Sequence, residues 1–489
     1  MASAESRRAG LSKSRILSGL QCTKRLFLET YKRELAETDD AELVFQFGHM
    51  VGECARSLWP EGILIEGEDL RKALDLTRQY LEAGEQRPLF EATVDYEGVL
   101  VRVDILVPEA TGYRLIEVKA STSVKPEHLP DVAVQTYVLE QAGLPVTRVE
   151  LAHVDNTFVY TEPGNYEGLL AYEDVTTEAR AYLPHVPDYI QQFRAVLADT
   201  EPDIAMGSHC KQPYDCPFMH YCADASGQPE YPVTILPAGG RVASELQAEG
   251  YLDLREVPAE RLTNTNHQRV HRVTLNGAPE LLPDAKAELE ALPYPRYYLD
   301  FESLGVPIPI WLGMRPYEAV PIQYSLHIEH ADSRLDHHEF LDTSGEPPFR
   351  ALAEDLMASA GTVGPIFVYS SYEKQMLNQL IKYCPEWAGP LEALIERLYD
   401  LLPLVRANYY HPAMRGSWSI KAVLPTIAPE LAYETLGDVS HGNAAQGAYL
   451  QLISGELEKE QRERIESALR RYCSHDTLAM VRLVEYLNT

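Results

Sequence analysis

The sequence predicts an α/β protein with two folded domains joined by a shorter segment. Runs of alternating apolar and polar residues, the pattern of half-buried strands, begin near residues 88 and 297. Each group of strands is followed by helical patterns, the order expected when helices cover a sheet. Between the two groups, at 225–294, Pro and Gly recur. We therefore expect domains at 1–224 and 295–489 and a helical connector at 225–294.

Composition limits the kinds of function that fit. The 489 residues include 43 Lys and Arg and 73 Asp and Glu, which gives a formal net charge of −30. This charge disfavours a broad nucleic-acid-binding face, because phosphate contacts need Lys and Arg, but it allows a local basic groove on an acidic body. No stretch approaches the ~18 consecutive apolar residues of a membrane span, and the opening MASAESRRAG lacks an apolar signal region. We expect a cytoplasmic protein that does not contact a membrane.

The first domain begins with helical patterns at about 11–33 and 42–58. Three strand patterns follow, FEATV, VLVRVDILV and YRLIEVKA, with turns at Gly98 and Gly112 between them. A helix at about 130–142 and a strand, VELAHV, come next. Strands joined by such short turns are expected to pair as hairpins.

The second and third of these strands carry charges inside apolar runs. Asp104 lies in VRVDILV, and Glu117 and Lys119 lie in LIEVKAS. Residues two apart on a strand share a face, and the hairpin brings Asp104 close to the other two. Two carboxylates suit Mg²⁺ or Mn²⁺, and a lysine stabilises charge on phosphate, which is the set that metal-assisted phosphodiester hydrolysis needs. The alternative, a hairpin with its charges in solvent, fits less well because the strands are strongly apolar.

This pattern resembles the core of the PD-(D/E)XK nucleases, in particular their RecB-like branch. The resemblance implies a restriction-endonuclease-like fold, with His49 as a further metal ligand on an upstream helix and Gln135 as a further catalytic residue. The branch places a Tyr four residues after that Gln, where this sequence has Leu139, and Tyr137 is only two residues on. Glu91, in LFEATV, is a further candidate carboxylate.

The cysteines predict an inorganic site rather than disulfides, because their number in this long chain, seven, is odd. Cys210, Cys216 and Cys222 are separated by gaps of five residues, and Cys22 on the first helix is the best candidate for a fourth ligand. Four thiolates placed on both sides of the strands suit a [4Fe–4S] cluster that clips the ends of the domain together. Zinc is the alternative, with shorter usual gaps and with His220 as a possible substitute ligand. The remaining cysteines are expected to be ordinary buried thiols: Cys54, Cys384 and Cys473.

One cysteine before a RecB-like core and three after it resemble AddB and the CRISPR-adaptation nucleases, which carry an iron–sulfur cluster. We expect the cluster in this chain to be structural, because the sequence contains no evident redox partner. Residues 1–224 are thus expected to be a RecB-like nuclease domain stapled by iron and sulfur.

A second group of acids spans the last domain. Asp300 and Glu302 alternate in YYLDFE and so share a strand face. In the final helical pattern, RYCSHDTLAMVRLVEYL, Tyr472 and Asp476 are four apart and share a helix face. Carboxylates that converge from a strand and a distant helix can hold two metal ions, and Tyr472 would orient the attacking water.

These motifs resemble the DEDD exonucleases of the RNase H-like fold, in the subclass with a Tyr before the last Asp. The strand pair matches the first motif and the helix pair matches the third. The second motif normally has Asp after an aromatic residue, whereas here Glu373 follows Tyr372, so either Glu373 or Asp400 is the remaining metal-binding carboxylate. The segment GSWSIKAVLP resembles one in bacterial proteins that join these two domains, and Lys421 within it is expected to face phosphate.

Together the resemblances imply a metal-dependent nuclease, an exodeoxyribonuclease with two active sites that acts on single-stranded or frayed DNA in preference to RNA. Two alternatives stay open: a nucleic-acid-binding component of a defence or repair assembly with one or both sites inactive, and a redox-sensing iron–sulfur protein with vestigial nuclease folds. The connector is either a linker or a helical hairpin that touches a nucleic-acid backbone. No GxxxxGK[ST] motif occurs, so any unwinding would need a helicase partner.

Overall fold

In a computed structural model, the chain forms a mixed α/β structure with two compact units. The structure describes residues 10–37, 41–66, 69–227, 229–431, 439, 441–455 and 457–489. The first unit comprises Met1–Gly227 and Val306–Tyr317, and the second comprises Gln228–Gly305 and Glu318–Thr489. Most of the opening segment, in which no signal region is expected, lies outside the described residues. Among the described helices, none is long and apolar enough to cross a membrane.

The helices of the first unit are α1 (Lys13–Gln21), α2 (Thr23–Tyr31), α3 (Ala41–Ser57), α4 (Leu70–Glu82), α5 (His128–Gln141), α6 (Thr176–Tyr182), α7 (Val186–Ala198) and α8 (Met219–Ser226). Its strands are β1 (Leu11–Ser12), β2 (Ile63–Leu64), β3 (Leu89–Tyr96), β4 (Val99–Glu109), β5 (Gly112–Lys119), β6 (Val146–Val154) and β7 (Leu170–Asp174). Strands β3 to β6 and helix α5 correspond to elements expected from the sequence. The helical pattern over 11–33 is divided into α1 and α2, because the backbone is extended at Cys22, with φ −162°.

The strands of the first unit form one sheet in the order β2-β3-β4-β5-β6-β7, and β1 pairs with β4. Strands β3, β4 and β5 are antiparallel neighbours, and α5 then crosses over so that β6 lies parallel to β5. Adjacent strand residues face opposite sides of a sheet. Leu115 accordingly packs in the core that contains Val134 of α5, whereas Ile116 packs in a separate core with Val51 of α3. The sheet therefore lies between α5 and α3.

Residues 306–317 belong to the first unit, although the chain on both sides of them lies in the second. The Tyr160 N–H donates to the Met314 carbonyl at 3.0 Å, and the Gly313 N–H donates to the Tyr160 carbonyl at 2.8 Å. These backbone bonds join the segment to the loop that follows β6. The chain therefore passes from one unit to the other after Gly227, Gly305 and Tyr317.

The helices of the second unit are α9 (Gly240–Ala248), α10 (Thr265–Asn276), α11 (Asp284–Glu290), α12 (Phe349–Ser359), α13 (Tyr372–Tyr383), α14 (Ala388–Ile395), α15 (Leu401–Asn408), α16 (Ile420–Ile427), α17 (Gly442–Ile453) and α18 (Lys459–Leu487). Its strands are β8 (Glu280–Leu281), β9 (Arg296–Leu304), β10 (Val320–Glu329), β11 (Leu335–Leu341), β12 (Ile366–Val368), β13 (Leu398–Asp400) and β14 (Tyr409–Tyr410). The strand pattern YYLDFE, expected from the sequence, corresponds to β9.

The main sheet of the second unit has the order β11-β10-β9-β12-β13. Strand β10 is antiparallel to both of its neighbours, whereas β9, β12 and β13 are parallel to one another. Strands β9 and β10 are buried along nearly their whole length, as expected for central strands covered on both faces. Helix α18 packs across both of them, which places the last helix of the chain against the first strand of this sheet.

Most of the segment expected as a connector, residues 229–294, packs inside the second unit. Val233, Val270 and Leu289 share one cluster of buried side chains with Phe367 of the sheet. Strand β8 also pairs with β14, so the segment contributes backbone hydrogen bonds as well as apolar area. The described part of the connector is therefore an integral part of a folded unit.

One glycine tests how closely this segment approaches the rest of the second unit. Gly416 has φ +80°, and a Cβ built there would overlap the carbonyl oxygen of Ile235. We expect Gly416→Ala to destabilise the fold by roughly 2–4 kcal/mol, because the backbone is left-handed and the site has no space. Gly277→Ala is the matched control: φ is +65° with nothing within 4 Å, so its cost is strain of about 1 kcal/mol. Equal melting temperatures for the two variants would contradict the close approach at residue 235.

Candidate functional site

The first candidate site lies where β4 and β5 separate. Their antiparallel pairing reaches Ile105 and Ile116 and is not continued at the next opposed residues, Asp104 and Glu117. Instead, the Asp104 carboxylate accepts a hydrogen bond from the backbone N–H of Val118 at 2.7 Å. Opposed residues of an antiparallel pair carry their side chains close together on one face. The strand register therefore places Asp104 beside Glu117.

Polar and charged side chains surround Glu117 on both of its oxygens. Its Oε1 accepts from Lys13 Nζ at 2.6 Å and from Lys119 Nζ at 2.7 Å. Its Oε2 accepts from Gln135 Nε2 at 2.7 Å. Asp131 of α5 accepts from Lys119 Nζ at 2.5 Å and from Gln135 Nε2 at 2.9 Å, and Lys13 Nζ lies 3.3 Å from its Oδ1. We call the whole set the Glu117 network: Lys13, Asp104, Glu117, Lys119, Asp131 and Gln135.

Burial and neighbouring charge set the protonation of this network. Burial, followed by the repulsion of Glu117, raises the pKa of Asp104 to about 7. Burial would also raise the pKa of Asp131, but attraction by Lys13 and Lys119 outweighs it, and the pKa lies well below its usual range. Burial alone would lower the pKa of Lys119, whereas Glu117 and Asp131 raise it well above its usual value. An added cation would therefore favour the ionised form of Asp104, which burial and repulsion disfavour.

Three residues selected from the sequence contact other partners. His49 is 72% exposed, and its Nε2 lies 3.2 Å from Glu53 Oε1. Tyr137 packs edge-on against another tyrosine ring of the first unit. Glu91 lies 3.5 Å from Arg56 Nη1. The contacts found for these three side chains therefore lie outside the Glu117 network, whereas Gln135 is a member of it.

Two members of the network, Lys13 and Asp131, were not expected from the sequence. Asp131 precedes Gln135 by four residues, so the two share a face of α5, and the letters DVAVQ contain that signal. Lys13 lies 104 residues before Glu117. Nothing local in the sequence indicates that Lys13 reaches the strands.

The four cysteines expected to bind a cluster line one small cavity of the first unit: Cys22, Cys210, Cys216 and Cys222. Gln21, at the end of α1, donates hydrogen bonds to the carbonyls of His209 and Tyr214, each at 2.7 Å. The side chains of Lys24 and Arg25 also line the cavity. The end of α1 is thereby tied to the loop that carries Cys210 and Cys216. Burial raises the pKa of the Cys216 and Cys222 thiols, and the charges of Arg25 and Lys24 oppose that rise.

The second candidate site lies between β9 and α18. Carboxylate oxygens of Asp300 and Glu302 and the sulfur of Cys473 lie within 4.8 Å of one another. Burial, followed by the repulsion of Asp476, raises the pKa of both Asp300 and Glu302 well above its usual range. Glu373 adds to the repulsion at Asp300. We call the four carboxyl groups the acid cluster: Asp300, Glu302, Glu373 and Asp476.

Glu373 lies in the first turn of α13 and is 3% exposed. Its Oε2 is buried and has no hydrogen-bond partner among the described residues. Burial raises the pKa of Glu373 to about 8, with further repulsion from Asp400 and Asp476. Asp400 caps α15, where its Oδ1 accepts the N–H of Leu402 at 2.9 Å. Glu373 therefore has a buried oxygen without a hydrogen-bond partner among the described residues, whereas Asp400 uses one of its oxygens to cap a helix.

Lys421 and Tyr472 border the acid cluster. Lys421 Nζ lies 5.5 Å from the centre of the Tyr472 ring, and its charge opposes the rise in the pKa of Glu302. Burial, followed by the repulsion of Asp476, raises the pKa of Tyr472 well above its usual range. The Tyr472 hydroxyl therefore stays protonated and can donate a hydrogen bond.

The three remaining cysteines are buried, as expected: Cys54, Cys384 and Cys473. Cys473 nevertheless differs from the other two, because its Sγ lies 3.7 Å from Asp300 Oδ2. In the sequence, the one indication of this contact is that Cys473 directly follows Tyr472, a residue of the third motif.

The acid cluster fits a divalent cation. Buried carboxyl groups that raise one another's pKa need either protons or a cation. Carboxylate oxygens are ligands that Mg²⁺ and Mn²⁺ prefer, and the unpartnered oxygen of Glu373 is available for such a bond. In the first unit, the juxtaposed carboxyl groups of Asp104 and Glu117 fit the same kind of ion.

Comparison with known proteins yields limited similarity. A family described as a domain of unknown function (DUF2779) matches residues 297–419, the part of the second unit that contains Asp300, Glu302 and Glu373. No curated protein matches the chain. Among solved structures, the protein SSO0001 is similar with 13% identity, and the match covers 45% of this chain and 88% of that chain. Its TM-score of 0.21 is too low to support an argument about fold or function.

The acid cluster should make stability depend on pH. The pKa of Glu373 rises from 4.5 to about 8 in the folded protein, so the folded state binds its proton more tightly. The resulting stability is complete below pH 4.5 and is lost as the pH rises through about 8. We expect the protein in EDTA to melt at a lower temperature near pH 8.5 than near pH 6, and Glu373→Gln to reduce this difference.

Thermal melts at the two pH values measure the effect. Glu386→Gln is the control, because Glu386 is an exposed acid of the same unit. An equal pH dependence in Glu373→Gln and Glu386→Gln would contradict the assignment of the effect to the buried carboxyl group.

Proposed function

We propose that the chain is a metal-dependent nuclease that hydrolyses phosphodiester bonds of DNA, with one active site at the Glu117 network and another at the acid cluster. The observation that carries this proposal is that each unit collects buried carboxylates from distant elements. Burying acids costs stability, and metal-assisted phosphodiester hydrolysis is a function that requires them. The substrate that we propose is single-stranded or frayed DNA in preference to RNA, with Mg²⁺ or Mn²⁺ as the ion.

The topology of the first unit supports a PD-(D/E)XK nuclease of the RecB-like branch. Apart from the short strand β2 and helix α4, which lie between α3 and β3, helix α3, the antiparallel strands β3 to β5, the crossover helix α5 and the parallel strand β6 give an αβββαβ order, which is that of the PD-(D/E)XK core. In this proposal the site residues are Asp104 of β4, Glu117 and Lys119 of β5, and Gln135 of α5.

In this proposal, each residue of the first site has a different role. Asp104 and Glu117 would hold the ion, which polarises phosphate and lowers the pKa of water. Lys119 would stabilise the negative charge that develops on the phosphate. Gln135 holds one oxygen of Glu117 and so fixes the orientation of that carboxylate. His49 is proposed separately as a ligand of the ion, because its exposed ring pairs with Glu53 and not with a member of the Glu117 network.

The topology of the second unit supports an RNase H-like domain. If its strands are numbered from β9, the sheet order is 3-2-1-4-5 with the second strand antiparallel to its neighbours, the order of an RNase H-like sheet. The acid cluster takes its members from the first strand, from α13 and from α18, in the chain order of the DEDD motifs. Tyr472 would then orient a water molecule through its protonated hydroxyl, as in the subclass with a Tyr before the last Asp.

The gaps of five residues between Cys210, Cys216 and Cys222 favour a [4Fe–4S] cluster over zinc, because zinc ligands are usually separated by two to four residues. All four cysteines line one small cavity of the first unit, which supports one shared inorganic group. His220, the substitute zinc ligand, is exposed and lies 2.9 Å from Glu37.

A nucleic-acid-binding component of a defence or repair assembly, with one site inactive, is the second candidate function. Glu373 favours this alternative for the second unit. The DEDD motif has Asp at this position, and a Glu side chain reaches about one methylene further than Asp. Metal sites tolerate little displacement of their ligands. In either case a helicase partner and a cytoplasmic location are proposals that rest on the sequence.

The cluster proposal predicts a coloured protein. Anaerobically purified protein should absorb broadly near 400 nm through charge transfer from thiolate to iron. Cys22→Ser should abolish most of this absorption, whereas Cys384→Ser, which removes a buried thiol of the second unit, should not change it. Stoichiometric zinc without iron in the purified protein would overturn the assignment.

The two-site proposal predicts separable activities. On end-labelled oligonucleotides with Mn²⁺, Asp104→Asn should reduce the rate of one cleavage activity at least about a hundredfold, because metal binding is lost. Asp300→Ala should remove a different one, degradation from the 3′ end, and the double variant should cleave nothing. Parallel assays on DNA and RNA define the substrate. If Asp300→Ala and Asp476→Ala change neither cleavage nor metal binding, the second unit is a binding module.

A further inference from the structure

We propose that Lys13 is a second functional lysine of the Glu117 network. We also propose that α1, whose other end lies at the cysteine cavity, holds Lys13 in position. This inference rests on the proposed nuclease function. Lys13 Nζ lies 2.6 Å from Glu117 Oε1, as close as Lys119 Nζ at 2.7 Å. It also lies 3.3 Å from Asp131 Oδ1. Two ammonium groups therefore share one oxygen of a residue that would hold the metal ion.

Helix α1 connects this lysine to the cysteines. Lys13 is the first residue of α1, and Cys22 is the residue at which α1 ends. Nine helical residues span about 13 Å, so the two groups lie at opposite ends of one short rigid element. Ser12 caps the first turn by accepting the N–H of Arg15 at 3.3 Å.

The contacts of α1 lie mainly toward the end that carries Cys22. A Cβ built at Gly19 would lie 2.8 Å from the ring of Phe193, which means that α1 and α7 are in close contact at that point. Gln21 donates to two carbonyl groups of the cysteine loop. Ligation of Cys22 would add a further restraint at this end, and its loss would loosen the helix whose beginning carries Lys13.

Lys13 has two expected effects that differ in sign. Its ammonium group and a divalent cation compete for the same Glu117 oxygen, so removing Lys13 should tighten metal binding. Beside the carboxylates, the same ammonium group is placed to contact a phosphate of the substrate, so removing it should weaken DNA binding. A lysine that served packing alone would not produce this pair of changes.

Metal binding tests the inference without any need for cleavage. The parent protein for this experiment carries Asp300→Ala, which silences the acid cluster, and its iron content and absorption spectrum are checked first. We expect Lys13→Ala to bind Mn²⁺ about tenfold more tightly, measured by electron paramagnetic resonance of the free ion. Arg15→Ala is the matched control, because Arg15 is a cation of the same helical turn whose guanidinium donates to the Gly10 carbonyl. Equal Mn²⁺ affinity in Lys13→Ala and the parent overturns the inference.

The link to the cysteines is tested with a double-mutant cycle. Cys22→Ser should itself tighten Mn²⁺ binding, because Lys13 is no longer held at Glu117. Adding Lys13→Ala to Cys22→Ser should then change the affinity by less than twofold. If the two substitutions have independent, additive effects, α1 does not transmit the state of the cysteine cavity. The melting temperature of each variant identifies any that fail to fold. If Lys13→Ala fails to fold, Lys13→Gln replaces it, because it removes the charge and keeps most of the side chain, and the same tightening of Mn²⁺ binding is expected.

Oligonucleotide binding tests the phosphate contact and separates the two proposals. In Ca²⁺ or EDTA, the slope of log affinity against log salt for a single-stranded oligonucleotide should fall by about 0.7 in Lys13→Ala, the loss of one phosphate contact. An unchanged slope would remove Lys13 from the substrate contacts. If the unmodified protein neither binds nor cleaves any oligonucleotide, the nuclease proposal fails, while the Mn²⁺ measurements still decide whether Lys13 acts on the metal site.

Discussion

Buried negative charge is the constraint on which both units depend, and the two units meet it differently. In the first unit, Lys13 and Lys119 neutralise Glu117 and Asp131 at hydrogen-bond distance. In the second, the acids chiefly repel one another, and burial raises their pKa, to about 8 at Glu373. The first site is consequently organised by the protein alone, whereas the second depends on protons or a cation for its charge balance.

The sequence predicts those features that are encoded within a few neighbouring residues. Glu117 and Lys119 alternate on one strand, as do Asp300 and Glu302, and a period of two is visible without knowing the fold. The strands β3, β4, β5 and β9 could be predicted for the same reason, since apolar alternation and the turn glycines lie within each strand or at its end. The mixed α/β class follows from the order of these patterns.

The remaining features depend on contacts between residues far apart in the chain. Lys13 reaches Glu117 only because α1 packs beside α5, and no local pattern encodes that packing. The segment at 229–294 is rich in Pro and Gly, which suggests a linker, yet its apolar residues complete the core around Phe367. Cys22 divides one helical pattern into two helices, because extended backbone at that residue overrides helix propensity.

A single break in the chain cannot yield two complete units. A piece that ends at Gly227 lacks residues 306–317, which hydrogen-bond to Tyr160, and the other piece carries that segment without its partner. The segment begins two residues after the end of β9, the strand that bears Asp300, so one short stretch of chain contributes to both units. Genetic exchange of one unit between related proteins would therefore need breakpoints on both sides of the segment, and we expect the two units to share a common evolutionary history.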